Sequence, residues 1–93
     1  MSDSEIIEKA INAKNGAKFS RLWRGDWQAY YDRQEPGDLA LCCHLMYWCD
    51  GDQGHVEQLF AKSGLYRKKW NRACYRRATL SKALATYLAR KGK

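Results

Sequence analysis

The sequence predicts an all-α protein, a compact bundle of about five helices around a buried central helix at residues 38–49. Three observations carry that prediction. The chain of 93 residues has one proline and seven glycines, so little interrupts it. Apolar residues recur at helical spacing through most of its length. The run "LALCCHLMYWC", residues 39–49, is apolar almost all round, the mark of a helix buried on every side, and it has no β-branched residue to favour a strand.

The elements follow in order. Ser2 to Glu5 reads as a capping box opening the first helix. Ile6, Ile7, Ala10 and Ile11 form its apolar face, with Glu8, Lys9 and Asn12 opposite, and Asn15-Gly16 closes it. Phe19, Leu22 and Trp23 give a short second helix its stripe, and Gly25 stops it. "DWQAYYDRQEPG" is a polar, aromatic-studded connection. Pro36 suits the first turn of the central helix, where a missing N–H costs nothing, and Asp38 suits the positive end of its dipole. Asp50-Gly51-Asp52 closes that helix and caps the next, whose stripe is Val56, Leu59 and Phe60 and whose end is Ser63-Gly64. A helical turn is expected around 68–72. Thr79 reads as the N-cap of a last helix, with Leu80, Ala83, Leu84, Tyr87 and Leu88 on one face.

A composition of 45% hydrophobic and 29% charged residues is globular, and the length sets one domain, residues 1–93, without internal repeats. No apolar run approaches the roughly 20 residues of a membrane span. The N-terminus, Met-Ser-Asp-Ser-Glu, lacks the apolar core of a leader. A reduced, cytoplasmic setting is therefore expected, with Cys42, Cys43, Cys49 and Cys74 free of disulfides.

Charge is distributed unevenly. Residues 1–61 carry six cations and all ten acids, a net −4, whereas residues 62–93 carry eleven cations and no acid, a net +11. So much like charge repels itself, which points to an anionic partner.

Catalytic readings fail on spacing. Cys42, Cys43, His44, Cys49, His55 and Cys74 are zinc-ligand types, but no pair has the spacing of a structural zinc site. The cysteines read as small core fillers and His44 as a polar edge or a hydrogen-bonded core residue. Asp50 and Asp52 read as a turn and a cap. There is no glycine-rich phosphate loop and no nucleophile paired with a base. No enzyme, metal or cofactor is expected.

"YRKKWNRACYRR", residues 66–77, packs six cations and three aromatic rings into twelve positions. Lys62, Arg67, Lys68, Lys69, Arg72, Arg76 and Arg77 can each approach a phosphate, and Tyr66, Trp70 and Tyr75 lie among them. Single-stranded nucleic acid calls for this pairing, since cations follow its backbone while rings stack on its bases. Tyr66 and Tyr75 are the preferred stacking rings. Trp70 fits either stacking or a core anchor with cations snorkelling around it. Arg21 and Arg24, with Lys18, flank Trp23 and either extend the same surface or form an ordinary solvated face.

Read end to end, the chain resembles the helix-bundle domain of phage- and plasmid-encoded primase-polymerases, the type found in a deep-sea vent phage polymerase. The resemblance rests on "SDSEIIEKA", "NGAKFSRLWRGDW", "DLALC" followed by Trp48, "LFAKSGLYRKKW" and "TLSKAL", from about Ser2 to Leu84. Arg67, Lys69 and Trp70 match the family motif position for position. Two stretches depart from it. "RQEPGD" replaces a serine-rich lead, and "NRACYRRA" is glycine-free and more basic.

The resemblance implies a non-catalytic role in DNA replication of a phage or other mobile element: holding single-stranded DNA template, with the initiating nucleotide as a further ligand, while primer synthesis begins. A primase-polymerase catalytic domain and/or a helicase would be its protein partners, with no membrane involved. The alternative is an interaction module docking an acidic surface of a polymerase or helicase. A duplex-reading regulator fits less well, for want of a helix-turn-helix signature.

Overall fold

The structure, a computed structural model, describes residues 2–91, so residues 1, 92 and 93 lie outside the described residues. It consists of α1 (Asp3–Ile11), α2 (Gly16–Trp23), a 3-10 turn (Trp27–Ala29), α3 (Gln34–Trp48), α4 (Gln53–Lys62), a second 3-10 turn (Lys68–Asn71) and α5 (Ala73–Lys91). No strand occurs among the described residues. The all-α bundle with a central helix is the observed architecture.

Local chemistry explains most boundaries. The Ser2 hydroxyl accepts from the Glu5 amide at 3.3 Å, the first half of the predicted capping box. Asp52 caps α4 in the same way, accepting from the His55 amide at 3.2 Å. Asp50 and Gly51 take the left-handed backbone, φ 54° and 82°, that reverses the chain after α3. Pro36 lies in the first turn of α3. Two expectations shift. Asn15-Gly16 opens α2 instead of closing α1, which ends at Ile11. Thr79 caps nothing: α5 begins six residues earlier at Ala73, and the Thr79 hydroxyl donates back to the Tyr75 carbonyl at 3.0 Å. The basic stretch therefore runs directly into helix.

Leu41, Cys42, Leu45 and Met46 of α3 are fully buried, and α1, α2, α4 and α5 all pack on it. The remaining core is Ile6, Ala10, Phe19, Leu22, Cys49, Val56, Leu59, Phe60, Leu65, Trp70, Leu80 and Ala83. α5 packs along α3 more extensively than any other pair of elements. It runs parallel to α3, because Tyr75 meets Asp38 near their starts and Tyr87 meets Asp50 near their ends.

One backbone approach fixes the end of the bundle. The Gly64 amide donates to the Trp23 carbonyl at 2.7 Å, joining the end of α2 to the end of α4. A Cβ at Gly64 would lie 2.4 Å from the Arg24 carbonyl carbon, and one at Gly25, where φ is +94°, would lie 2.7 Å from the Gly64 oxygen. Only glycine fits either side of this contact. Gly64→Ala should lower stability by about 1–3 kcal/mol through forced separation of the two chain segments, read as a reduced urea midpoint.

Asp3 ties the N-terminus to α4. Its carboxylate takes the Lys62 ammonium and His55 Nε2, each at 2.7 Å, and these bonds, Lys62 foremost, hold its pKa below the ordinary 3.8. A lowered folded pKa contributes stability that is complete above the unfolded value and lost as pH falls through the folded one. The urea midpoint of Asp3→Asn should thus lie below wild type near neutral pH, and the gap should close on acidification below about pH 5.

Candidate nucleic-acid interface

The sequence-predicted site residues run from the last residue of α4, Lys62, into the first turns of α5, with Arg21 in the last turn of α2 and Arg24 just after it. The Gly25–Gly64 contact sets Arg24 beside the turn that leads to Tyr66. Gln34, the first residue of α3, donates to the Leu65 carbonyl at 3.0 Å and so draws the basic segment onto the start of the central helix.

Near the start of α3 is Asp38, only 1% exposed. Its Oδ2 accepts from Tyr75 Oη at 2.5 Å and from Arg67 Nη2 at 3.2 Å, while Oδ1 accepts from Gln34 Nε2 at 3.3 Å. Burial pushes the Asp38 carboxyl pKa above its ordinary value, against the opposing pull of Tyr75, Arg67 and Gln34. Burial and the Asp38 carboxylate together push the Tyr75 hydroxyl well up, so it stays protonated and donating. Asp38 is more than a dipole complement. It is the buried counter-ion that orders the basic segment.

Other acids neutralise further cations. Glu35 takes Lys69 Nζ at 3.2 Å and stands 3.9 Å from Arg67 Nη2. Glu57 takes Arg76 Nε at 2.5 Å, and Arg76 Nη1 also donates to the Trp70 carbonyl at 3.2 Å. With Lys62 held by Asp3, four of the seven cations in 62–77 are paired with acids from the first two-thirds of the chain. Lys68, Arg72 and Arg77 are exposed and have no ion pair among the described residues. Arg24 is likewise without an ion pair among the described residues, whereas Arg21 lies 4.0 Å from Asp26.

The aromatic rings divide as well. Trp70 is 2% exposed and stacked on Phe60 with centroids 3.9 Å apart, so of its two readings it is the core anchor. It has no free face for a base. Tyr75 is half-buried, edge-on to Trp70, with the Lys69 ammonium 4.5 Å from its ring centroid. The expectation that Tyr75 is a free stacking ring is therefore corrected: its hydroxyl belongs to Asp38 and its ring supports Lys69. Tyr66 remains exposed, its hydroxyl donating to Asn71 Oδ1 at 3.1 Å.

The cysteine and histidine side chains are dispersed. Cys42 and Cys49 fill the core, and burial pushes the Cys49 thiol up to about 11. Cys74 is exposed, unlike a core filler. His44 lies edge-on to Phe19 and 3.4 Å from Asn15 Nδ2, and burial lowers its pKa. Among the described residues no three His, Cys, Asp or Glu side chains are grouped to hold a metal ion. No described helix is long and apolar enough to cross a membrane.

Sequence reasoning locates the cations but misses their partners Asp3, Glu35, Asp38 and Glu57. One signal is available. Asp38 shares the helical stripe of Leu41, Cys42 and Leu45, and an acid in a buried stripe demands a donor. Removing it strands Arg67, Tyr75 and Gln34. Asp38→Ala should cost about 3–5 kcal/mol in urea denaturation. Asp38→Asn, which keeps the volume and one acceptor oxygen, should cost less.

A family model described as the NrS-1 polymerase HBD domain matches residues 34–89, more than half of the chain. The match takes in α3, α4 and nearly all of α5, and with them the Asp38 cluster and the basic segment. Arg21 and Arg24 precede it. No curated protein and no solved structure matches the chain.

Proposed function

The chain belongs to the NrS-1 polymerase HBD family, and on that footing we propose that it is a non-catalytic helix bundle that holds single-stranded DNA template for primer synthesis, beside a primase-polymerase catalytic domain or a helicase. The observation that carries this reading is that three cations of the basic segment are exposed and have no ion pair among the described residues. These are Lys68, Arg72 and Arg77; the same segment carries the exposed ring of Tyr66, and Arg24, also exposed and without an ion pair among the described residues, follows α2 at the Gly25–Gly64 contact.

The physics of each group suits a strand. The three cations approach backbone phosphates without breaking any ion pair that holds the fold. Tyr66 offers a base one aromatic face, an interaction that contributes about 1–3 kcal/mol per stacked base. The paired cations Arg67, Lys69 and Arg76 hold the segment in shape, so the free ones are presented from a rigid turn and the first turns of α5 instead of a loose loop. That lowers the ordering cost of binding.

Replacing Lys68, Arg72 and Arg77 together by Ala should weaken binding of a single-stranded oligonucleotide and reduce its salt slope by about 2, at roughly 0.7 for each phosphate no longer neutralised. Fluorescence anisotropy across a salt series measures both. Unchanged affinity and slope in the triple variant would overturn the assignment. Capture of an acidic polymerase or helicase surface at high salt, beside negligible oligonucleotide binding at low salt, would favour the docking-module reading instead.

A further inference from the structure

The acids around the basic segment are not equivalent, and their differences separate those that build the fold from one that can leave. Asp38 is sealed in the core and holds three donors. Glu57 shares Arg76 with the Trp70 carbonyl, and the Arg76 side chain is only 24% exposed. Glu35 and Glu57 are each 43% exposed, so what sets Glu35 apart is its cations: it meets two, Arg67 and Lys69, and both are about one-third exposed. Both cations have other support: Arg67 from Asp38, and Lys69 from the ring of Tyr75. Removing Glu35 therefore leaves the two cations in place, converging on an open position.

We propose that Glu35 is an internal phosphate mimic: its carboxylate occupies, in the free protein, a subsite on Arg67 and Lys69 that a backbone phosphodiester of the bound strand takes over. This inference rests on the single-stranded DNA reading above. A carboxylate and a phosphate oxygen accept the same charge-assisted hydrogen bonds from guanidinium and ammonium groups. The exchange is permitted because exposed ion pairs contribute little to stability, so little opposes their replacement. It preserves the charge balance of the pair of cations, and the displaced carboxylate turns to solvent from the first turn of α3. The consequence is a threshold: weak or isolated anions compete poorly with a tethered acid, whereas a strand already held on Lys68, Arg72 and Arg77 delivers its next phosphate at high local concentration.

The test compares wild type, Glu35→Gln and Glu8→Gln for a fluorescent single-stranded oligonucleotide, by anisotropy at several salt concentrations. Glu8 is an exposed acid on α1, and its substitution makes the same change in net charge. Glu35→Gln should bind about two- to fivefold more tightly than wild type, the release of one exposed ion pair. Glu8→Gln should stay near wild type. Adding Lys69→Ala to Glu35→Gln should abolish the gain. If wild type binds and Glu35→Gln binds no better, or if Glu8→Gln gains equally, the mimic is refuted while the strand-binding reading stands. If no variant binds the oligonucleotide, both fall. Matched far-UV circular dichroism of the proteins excludes misfolding as the cause of any loss.

Discussion

The end of the bundle that carries the candidate interface depends on one buried carboxylate. A charge out of water is tolerated only where donors surround it. Asp38 meets that demand by reaching into three separate parts of the chain: Gln34 one turn before it, Arg67 in the basic segment and Tyr75 in α5. Satisfying the acid thus dictates where the segment lies. Trp70, inserted between Phe60 and Tyr75, fills the space beneath the turn that results. The segment is rich in charge yet ordered because its shape is set by what Asp38 and the core need from it.

This organisation changes the meaning of the charge asymmetry. The acid-free third of the chain and the acidic two-thirds oppose each other along the sequence, but folding brings them together. Asp3, Glu35, Asp38 and Glu57 each come from the acidic part, and each meets a cation of the basic part. The self-repulsion that an isolated basic run would suffer is relieved by these pairs, and the cations left over are those that reach outward. A linear count of charge overstates the cationic surface by the number of ion pairs that the tertiary structure makes.

The helices themselves were legible because they depend on local signals: the Ser2 and Asp52 caps, the reversal at Asp50-Gly51, and the apolar run of α3. The start of α5 was not. Thr79 has the chemistry of a cap, but the same hydroxyl can bond back to the carbonyl one turn earlier inside a helix, and packing of Tyr75 and Thr79 against the core extends the helix to Ala73. Which cations are free is a long-range property, decided by partners such as Glu35 and Lys69 that are 34 residues apart. Composition located the basic segment. It could not distinguish Lys68, which faces solvent, from its neighbour Lys69, which faces an acid.

The pairing of α3 with α5 carries one more implication. Tyr75 bonds Asp38 and Tyr87 bonds Asp50, both across a separation of 37 residues, so the contacts fall near the start of α3 and in the reversal just past its end. With both in place α5 cannot slip along α3 like a piston, nor roll about its own axis, without opening both latches. The inner latch is buried and the outer one lies at the surface, but they share a single register. The two contacts stand about 18 Å apart along α5, the rise of the twelve steps from Tyr75 to Tyr87, so the register of the helix pair is marked near both of its ends.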